Sequence, residues 1–130
     1  MPRSVVVCAS KRYREEVKQF CDDLESTGIV VYRPNIQEPI FEHETILSPH
    51  VTTTIFRGLT LEHFDLIRKA DVCFIYNKDE YVGVSVTLEI GVANALGKPI
   101  YALNARTGDP CRDALINRVV ENATALRTLL

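Results

Sequence analysis

The sequence predicts a single α/β domain of the flavodoxin-like, Rossmann-like class, a three-layer sandwich with a mostly parallel sheet and helices on both faces. Short apolar runs, typical of strands buried on both sides, alternate with segments of helical periodicity. With 130 residues, of which 46% are apolar and 25% charged, the chain matches one ordinary globular domain over residues 1–130. A formal net charge of −2 argues against binding a nucleic acid polymer.

Four apolar runs predict the strands of this sheet. Each run is short and unbroken, as expected of a strand that helices cover on both faces. The predicted strands are Val5–Cys8, Ile29–Tyr32, Val72–Tyr76 and Ile100–Leu103. Ligands of such sheets bind beyond the carboxyl ends of the strands. We therefore expect the segments after the first, third and fourth strands to meet around one crevice.

The helices are predicted from apolar spacing and from residues that favour helix starts and ends. Capping residues precede the predicted helices at Ser10, Thr60, Ser85, Asp109 and Asn122. Gly28 and Gly97 end the first and third of these helices. The stretch between Asn35 and Gly58 is irregular and interrupted by proline, which predicts a long loop with one short helix around His50–Phe56.

Glu89 is the most unusual residue in this pattern, because it is an acid among apolar neighbours. Val86, Val92, Ala93 and Leu96 lie at helical spacing from it and share its helix face. Charged residues are rarely buried without a reason. A partly desolvated but still ionised carboxylate suits a nucleophile that attacks a sugar carbon. The alternative is a glutamate at a helix edge that reaches water.

The start of the first helix is basic, because Arg12 and two other cations crowd its first turn. Positive charge at this end opposes the helix dipole. An anion bound by Ser10 and the free backbone N–H groups would compensate for this unfavourable positive charge. The alternative is a basic helix start that is simply exposed to water and binds no ligand. The expected crevice also holds Asn77 and Ser85. Neither a dinucleotide fingerprint nor a P-loop is present.

The histidines and cysteines show no metal-binding pattern, so we expect no metal ion. His63 is ordinarily explained as a packing or capping residue. His43 with Glu42 and Glu44, together with His50, matches no zinc or calcium spacing, which favours a solvated loop. The four cysteines are spread singly, which predicts a reduced, cytoplasmic protein. No apolar segment is long enough to span a membrane.

Three segments together resemble the nucleoside 2-deoxyribosyltransferase-like superfamily, which includes the deoxyribosyltransferases and the deoxynucleoside-monophosphate N-glycosidases. They read "CASKRYREEVKQFCDDLESTGIVVYRP", "HFDLIRKADVCFIYN" and "GVSVTLEIGVANALGKPIYALN". The resemblance covers roughly Val5 to Asn104. Its most specific part is the glutamate-bearing segment that ends in Gly-Lys-Pro.

The resemblance implies roles for particular residues. The family's nucleophilic glutamate, which forms a glycosyl-enzyme ester, corresponds to Glu89. Ser10 and Arg12 match a loop that contacts the sugar or a 5′-phosphate. Gly83 stands where the family has an acid or serine six residues before the nucleophile, and Ser85 lies in the same stretch. The resemblance also implies a nucleoside or nucleotide substrate, no metal or organic cofactor, and a homodimer or larger homo-oligomer.

Two further positions depart from the family pattern. Val6 replaces a strand-one aromatic residue, and His63 stands in place of an aspartate, where it is a candidate acid for protonating the departing base. We predict cleavage or transfer of an N-glycosidic bond in a nucleoside or nucleoside 5′-monophosphate. The alternative is a non-catalytic nucleotide sensor of the same fold, since a purely structural subunit explains neither Glu89 nor the basic helix start.

The last predicted helix carries three leucines, Leu126, Leu129 and Leu130. They would be exposed if this helix did not pack against the rest of the domain. Such an apolar patch predicts a surface for self-association.

Overall fold

A computed structural model of the chain describes residues 3–37 and 47–130. These residues form one sheet of five parallel strands in the order β2-β1-β3-β4-β5. The strands β1 to β5 are Ser4–Cys8, Val30–Tyr32, Val72–Ile75, Ile100–Ala102 and Arg118–Val119. This is the strand order of flavodoxin-like folds, and the predicted fold class is confirmed.

The described ranges contain five α-helices, which lie on both faces of the sheet. Helices α1 to α5 are Arg14–Glu25, Pro49–Lys69, Val84–Ala95, Pro110–Asp113 and Ala123–Leu129. Short 3-10 turns at Lys11–Tyr13 and Lys78–Glu80 precede α1 and α3. In the part of the chain that the structure describes, no helix combines the length and apolar character needed to cross a membrane.

The two faces of the sheet have separate cores, because side chains alternate along each strand. Val5 and Val7 point to the side covered by α1 and α5, which we call the α1 face. Val6 and Cys8 point to the side covered by α2 and α3, which we call the α3 face. The three layers are therefore helices, sheet and helices.

Helix α2 is much longer than the sequence predicts. The Ser48 hydroxyl caps its start, and Pro49 occupies the first turn, where proline is favoured. The helix then continues through Gly58 and Thr60 to Lys69. The predicted short helix around His50–Phe56 is part of α2, whereas the predicted new helix start at Thr60 is wrong. Residues 38–46 of the predicted loop lie outside the described residues. A glycine inside a helix costs only about 1 kcal/mol, and packing of α2 against α3 outweighs this cost.

Three of the five predicted helix caps are confirmed, and two, Thr60 and Ser85, are wrong. The side chains of Ser10, Asp109 and Asn122 accept hydrogen bonds from backbone N–H groups in the first turns that follow them. Helix α3 begins two residues earlier than expected, after Gly83, so Ser85 lies inside its first turn and does not cap it.

The C-terminal helix does not leave its leucines free. Leu126 is completely buried, and Leu129 and Leu130 pack against the core of the α1 face. The expected self-association surface at this helix is therefore wrong. A fifth strand just before this helix was also not predicted.

Candidate active site

A cavity of about 300 Å³ opens at the carboxyl ends of β1, β2 and β3. It lies where the strand order reverses between β1 and β3, the usual ligand position in such sheets. Its lining comes from residues 9–11 after β1, 34–36 after β2, Phe56, Leu59, Thr60 and His63 of α2, and Tyr81, residues 83–86 and Glu89 around the start of α3.

The cavity brings together most of the residues that the sequence singles out. Ser10, His63, Gly83, Ser85 and Glu89 all line it. The segment after β4, which was expected at the crevice, is not part of the lining. The segment after β2 and the middle of α2 take its place. The sequence did not predict their contribution, because the stretch between Asn35 and Gly58 was interpreted as a loop with one short helix.

Asn77 belongs to the scaffold around the cavity, not to its lining. Its side-chain amide donates hydrogen bonds to the carbonyls of Asn104 and Arg106, at 2.9 and 2.8 Å. Its side-chain oxygen accepts the N–H of Asn104 at 2.9 Å. Asn77 is completely buried, and all of its side-chain polar groups serve to join the loop after β4 to the loop after β3.

Arg12 lies next to the cavity through Tyr81. The guanidinium carbon of Arg12 is 3.6 Å from the centre of the Tyr81 ring, which is close enough for a cation–π interaction. Tyr81 itself lines the cavity, as does Lys11, the neighbour of Arg12. The basic start of the first helical segment therefore borders the cavity.

Glu89 extends from α3 into the cavity, and its side chain is only 13% exposed. Burial raises the pKa of Glu89 from 4.5 to about 8, and a hydrogen bond with Cys8 opposes this rise only in part. The carboxyl group therefore holds a proton at neutral pH. The sequence suggested an ionised carboxylate, whereas burial favours the protonated form, because the hydrogen bond with Cys8 offsets desolvation only in part.

His63, on the neighbouring helix α2, is a second ionisable partner of Glu89. Its Nε2 is 3.8 Å from Oε1 of Glu89. Since α2 starts at Pro49, His63 lies in the second half of this helix, whereas the helix start predicted at Thr60 would place it in a first turn. Burial lowers the pKa of His63 to about 4, although the charge of Glu62 opposes this shift. At neutral pH, therefore, the imidazole is uncharged.

Cys8, at the end of β1, completes this cluster and was not predicted as a functional residue. Its Sγ is 3.4 Å from Nε2 of His63 and 3.7 Å from Sγ of Cys73. The hydrogen bond with Cys73, together with burial, raises the pKa of Cys8 well above its usual range. In the sequence Cys8 looks like one more apolar strand residue. Its contact with His63 is visible only in the structure, where α2 packs near the end of β1.

Three different ligand types, a thiol, an imidazole and a carboxyl group, thus meet beside the cavity. The ligand atoms of Cys8, His63 and Glu89 all lie within 4.8 Å of one another. His50 is exposed on α2, away from this group. The predicted loop with His43, Glu42 and Glu44 lies outside the described residues.

The fold is similar to that of a solved 2-deoxyribosyltransferase from the psychrotolerant bacterium Bacillus psychrosaccharolyticus. The two structures match with a TM-score of 0.60 and 18% sequence identity, over 95% of this chain and 89% of that chain. No protein-family model and no curated protein matches the sequence. The likeness shows a shared fold, and this is the fold that the sequence resemblance implies.

Proposed function

We propose that this protein binds a nucleoside or nucleoside 5′-monophosphate and cleaves or transfers its N-glycosidic bond, with Glu89 as the nucleophile. The observation that supports this most strongly is the pairing of Glu89 with His63 in a cavity at the reversal of strand order. Keeping a carboxyl group in such a buried place is unfavourable for folding, which favours a functional role. The 2-deoxyribosyltransferase of similar fold, described as a biocatalyst for nucleoside synthesis, supports the substrate class.

The proton on Glu89 has a destination in the neighbouring His63. In the empty cavity Glu89 is protonated and His63 is neutral. Transfer of this proton makes Glu89 a carboxylate and His63 an imidazolium, which are the nucleophile and the acid that the reaction needs. Without substrate this proton transfer is unfavourable in free energy, because the pKa of Glu89 is higher than that of His63. Positive charge that develops on the sugar carbon in the transition state stabilises the carboxylate and offsets this cost.

The reaction then proceeds in two balanced steps. A Glu89 oxygen attacks C1′ and forms an ester, while the bond from C1′ to the base breaks and its electron pair stays on the base. The departing base takes the proton from His63. In the second step water or another base attacks C1′, the bond to Glu89 breaks with its electron pair on the carboxylate, and the now neutral His63 takes the proton that the attacking group loses. Water as the acceptor makes the protein a hydrolase, and a second base makes it a transferase. No metal or organic cofactor takes part.

The remaining cavity residues hold the rest of the substrate. Ser10, Gly83 and Ser85 line the cavity at the starts of two helical segments, where free N–H groups and the helix dipole favour anions. Arg12, held beside the cavity by Tyr81, adds positive charge for a 5′-phosphate. We assign these residues to the sugar or its phosphate, and we place the activity in the cytoplasm.

A non-catalytic nucleotide sensor is the second candidate function. Two observations favour it: the proton held by Glu89 in the empty cavity, and Gly83 at the position where the resembled family carries an acid or serine. A sensor needs the cavity but no ionised nucleophile. It therefore predicts binding without release of the base.

We also propose that two copies of the chain associate through α3. Val84 is 81% exposed and Leu88 is 52% exposed, one helical turn apart on this helix. Val84 also lines the cavity, so a second copy that covers it would narrow the cavity entrance. Sedimentation tests this directly: we expect a dimer at micromolar concentration and a monomer for Leu88→Glu. A monomeric parent protein would contradict the proposal.

The proposed chemistry is tested by incubating the protein with ribo- and deoxynucleosides and their 5′-monophosphates. We expect free base, detected by chromatography, from at least one compound. Glu89→Gln should abolish the release, whereas Glu121→Gln, a matched change at an exposed glutamate, should leave it unchanged. No release from any compound, combined with a ligand-induced rise in melting temperature, would favour the sensor. Equal release by both variants would overturn the role of Glu89.

A further inference from the structure

The cluster of Cys8, His63 and Glu89 contains more than glycosyl transfer requires. Glu89 and His63 have roles in the proposed reaction, but the thiol of Cys8 has none. The three side chains come from β1, α2 and α3, so no local spacing in the sequence reveals the group. Sequence patterns alone therefore predict no metal site, yet the fold brings three metal-ligand types together.

The distances from Nε2 of His63 to the other two ligand atoms are close to those around a tetrahedral zinc ion, and all three atoms lie within 4.8 Å of one another. Sγ of Cys8 and Nε2 of His63 are 3.4 Å apart, and Nε2 of His63 and Oε1 of Glu89 are 3.8 Å apart. Zinc bonds of about 2.3 Å to sulfur and about 2.0–2.1 Å to nitrogen or oxygen place tetrahedral ligands about 3.3–3.6 Å apart. Small side-chain movements therefore suffice to bring all three atoms to a common ion.

We propose that Cys8, His63 and Glu89 bind a thiophilic divalent cation of the Zn²⁺ type. A thiolate and a carboxylate together neutralise the charge of the ion, and the neutral imidazole supplies the third ligand. This mixture suits zinc, whereas magnesium and calcium prefer oxygen ligands. His63 and Glu89 line the cavity, which leaves the fourth coordination position facing it.

Burial of the site gives the proposal a second support. Cys8 and His63 are almost completely inaccessible to water, so an ion held there is shielded from competing water ligands. Glu89 retains some exposure toward the cavity, which provides a route for entry. The same three ligands in a loop exposed to water would release a bound ion more readily.

Metal binding affects catalysis only if the proposed function is correct, so this consequence rests on it. An ion bound to the carboxylate of Glu89 occupies the nucleophile, and the sugar carbon cannot then be attacked. Zinc and glycosyl transfer are therefore mutually exclusive at this site. The structure thus offers a means by which a metal ion inhibits the enzyme.

Metal binding is tested on the full chain after removal of metals with a chelator. Zn²⁺ is titrated in competition with a chromophoric chelator, and Co²⁺ is added separately as a spectroscopic probe. We expect one ion per chain and a Co²⁺ spectrum with tetrahedral and thiolate charge-transfer bands. Cys8→Ser and Glu89→Gln should each weaken binding at least about 100-fold. Cys111→Ser, a matched change at an exposed cysteine, should not alter it.

Several results would overturn the proposal. These are the absence of stoichiometric binding at micromolar protein, a Co²⁺ spectrum without thiolate bands, and loss of binding in Cys111→Ser but not in Cys8→Ser. Circular dichroism checks that the variants fold. Should Cys8→Ser fail to fold, Glu89→Gln decides the outcome, because it removes an unfavourably buried acid and should be stable.

The proposed glycosyl transfer and the proposed metal site can be tested independently of each other. Base release is measured in the presence of chelator, and zinc binding is measured without substrate. Base release without zinc binding overturns the metal site alone. Zinc binding without base release from any nucleoside overturns the glycosyl transfer and leaves the metal site in place.

Discussion

The two faces of the sheet use the same strands for different purposes. On the α1 face, Val5, Val7 and Phe74 are fully buried, and the Phe74 ring stacks on Phe20 with the ring centres 4.8 Å apart. On the α3 face, the carboxyl end of β1 instead presents Cys8 to the ionisable side chains of α2 and α3. Strand β1 thus supplies apolar packing on the α1 face and the thiol of Cys8 on the α3 face.

The helices of the two faces differ in the same way. Helix α1 has a polar outer side, where Asp22 pairs with Lys18 at 3.1 Å and with Arg33 at 2.6 Å. Helix α3 is apolar on its outer side as well, with Val84 and Leu88 exposed. The outer side of α1 is therefore charged, whereas the outer side of α3 exposes the apolar side chains of Val84 and Leu88.

The largest effect on stability is expected from the α1 face. Leu126 is fully buried there, and Leu126→Ala should lower the free energy of unfolding by about 3 kcal/mol, through lost burial and the cavity that remains. Urea unfolding measures this change. The activity of the folded protein should stay the same. A change below about 1 kcal/mol would mean that α5 is not part of this core.

The second prediction concerns the α3 face and the rate of base release. His63→Gln removes the proposed acid and should lower the rate of base release about 100-fold. A substrate analogue whose leaving group needs no proton should lose less, because it still needs His63 to accept the proton of Glu89 but does not need His63 to protonate the leaving group. Equal losses for both substrates would show that His63 does not protonate the departing base.

The smallest effect is a pH dependence of stability that belongs to Glu89. Its pKa rises from 4.5 to about 8 on folding, so its contribution to stability is lost as the pH rises across this range. His63 has a lowered pKa of about 4, so its contribution is lost only below pH 6.5. From pH 6.5 to 8, in chelator, we expect the free energy of unfolding to fall by about 2 kcal/mol.

Glu89→Gln should remove most of this fall, because glutamine does not ionise. The control is Glu121→Gln, which changes an exposed glutamate and should keep the dependence on pH. Urea unfolding at several pH values measures both variants. A parent protein whose stability is constant between pH 6.5 and 8 would contradict the raised pKa of Glu89.

The sequence was sufficient for features that depend on local pattern. Apolar runs identified four of the strands, and Ser10, Asp109 and Asn122 were correctly identified as caps. Glu89 was identified as a candidate site residue because its neighbours at helical spacing are all apolar. These features depend on residues a few positions apart, where periodicity and capping chemistry are informative.

Features that depend on distant contacts were missed or misplaced. The meeting of Cys8 with His63 depends on the packing of α2 against the end of β1. Asn77 was expected in the crevice, but its hydrogen bonds to the loop after β4 depend on the pairing of β3 with β4. Strand β5 has only two residues, both exposed, so it leaves no apolar run to detect.

The most direct test of the central claim is a search for the covalent intermediate on Glu89. The protein is mixed with a nucleoside that it cleaves, quenched in acid within the first turnover, digested and examined by mass spectrometry. We expect the peptide that contains Glu89 to gain the mass of one pentosyl group, and the Glu89→Gln peptide to gain none. Rapid release of base without such a peptide, or a pentosyl group on another residue, would contradict the assignment of Glu89 as the nucleophile.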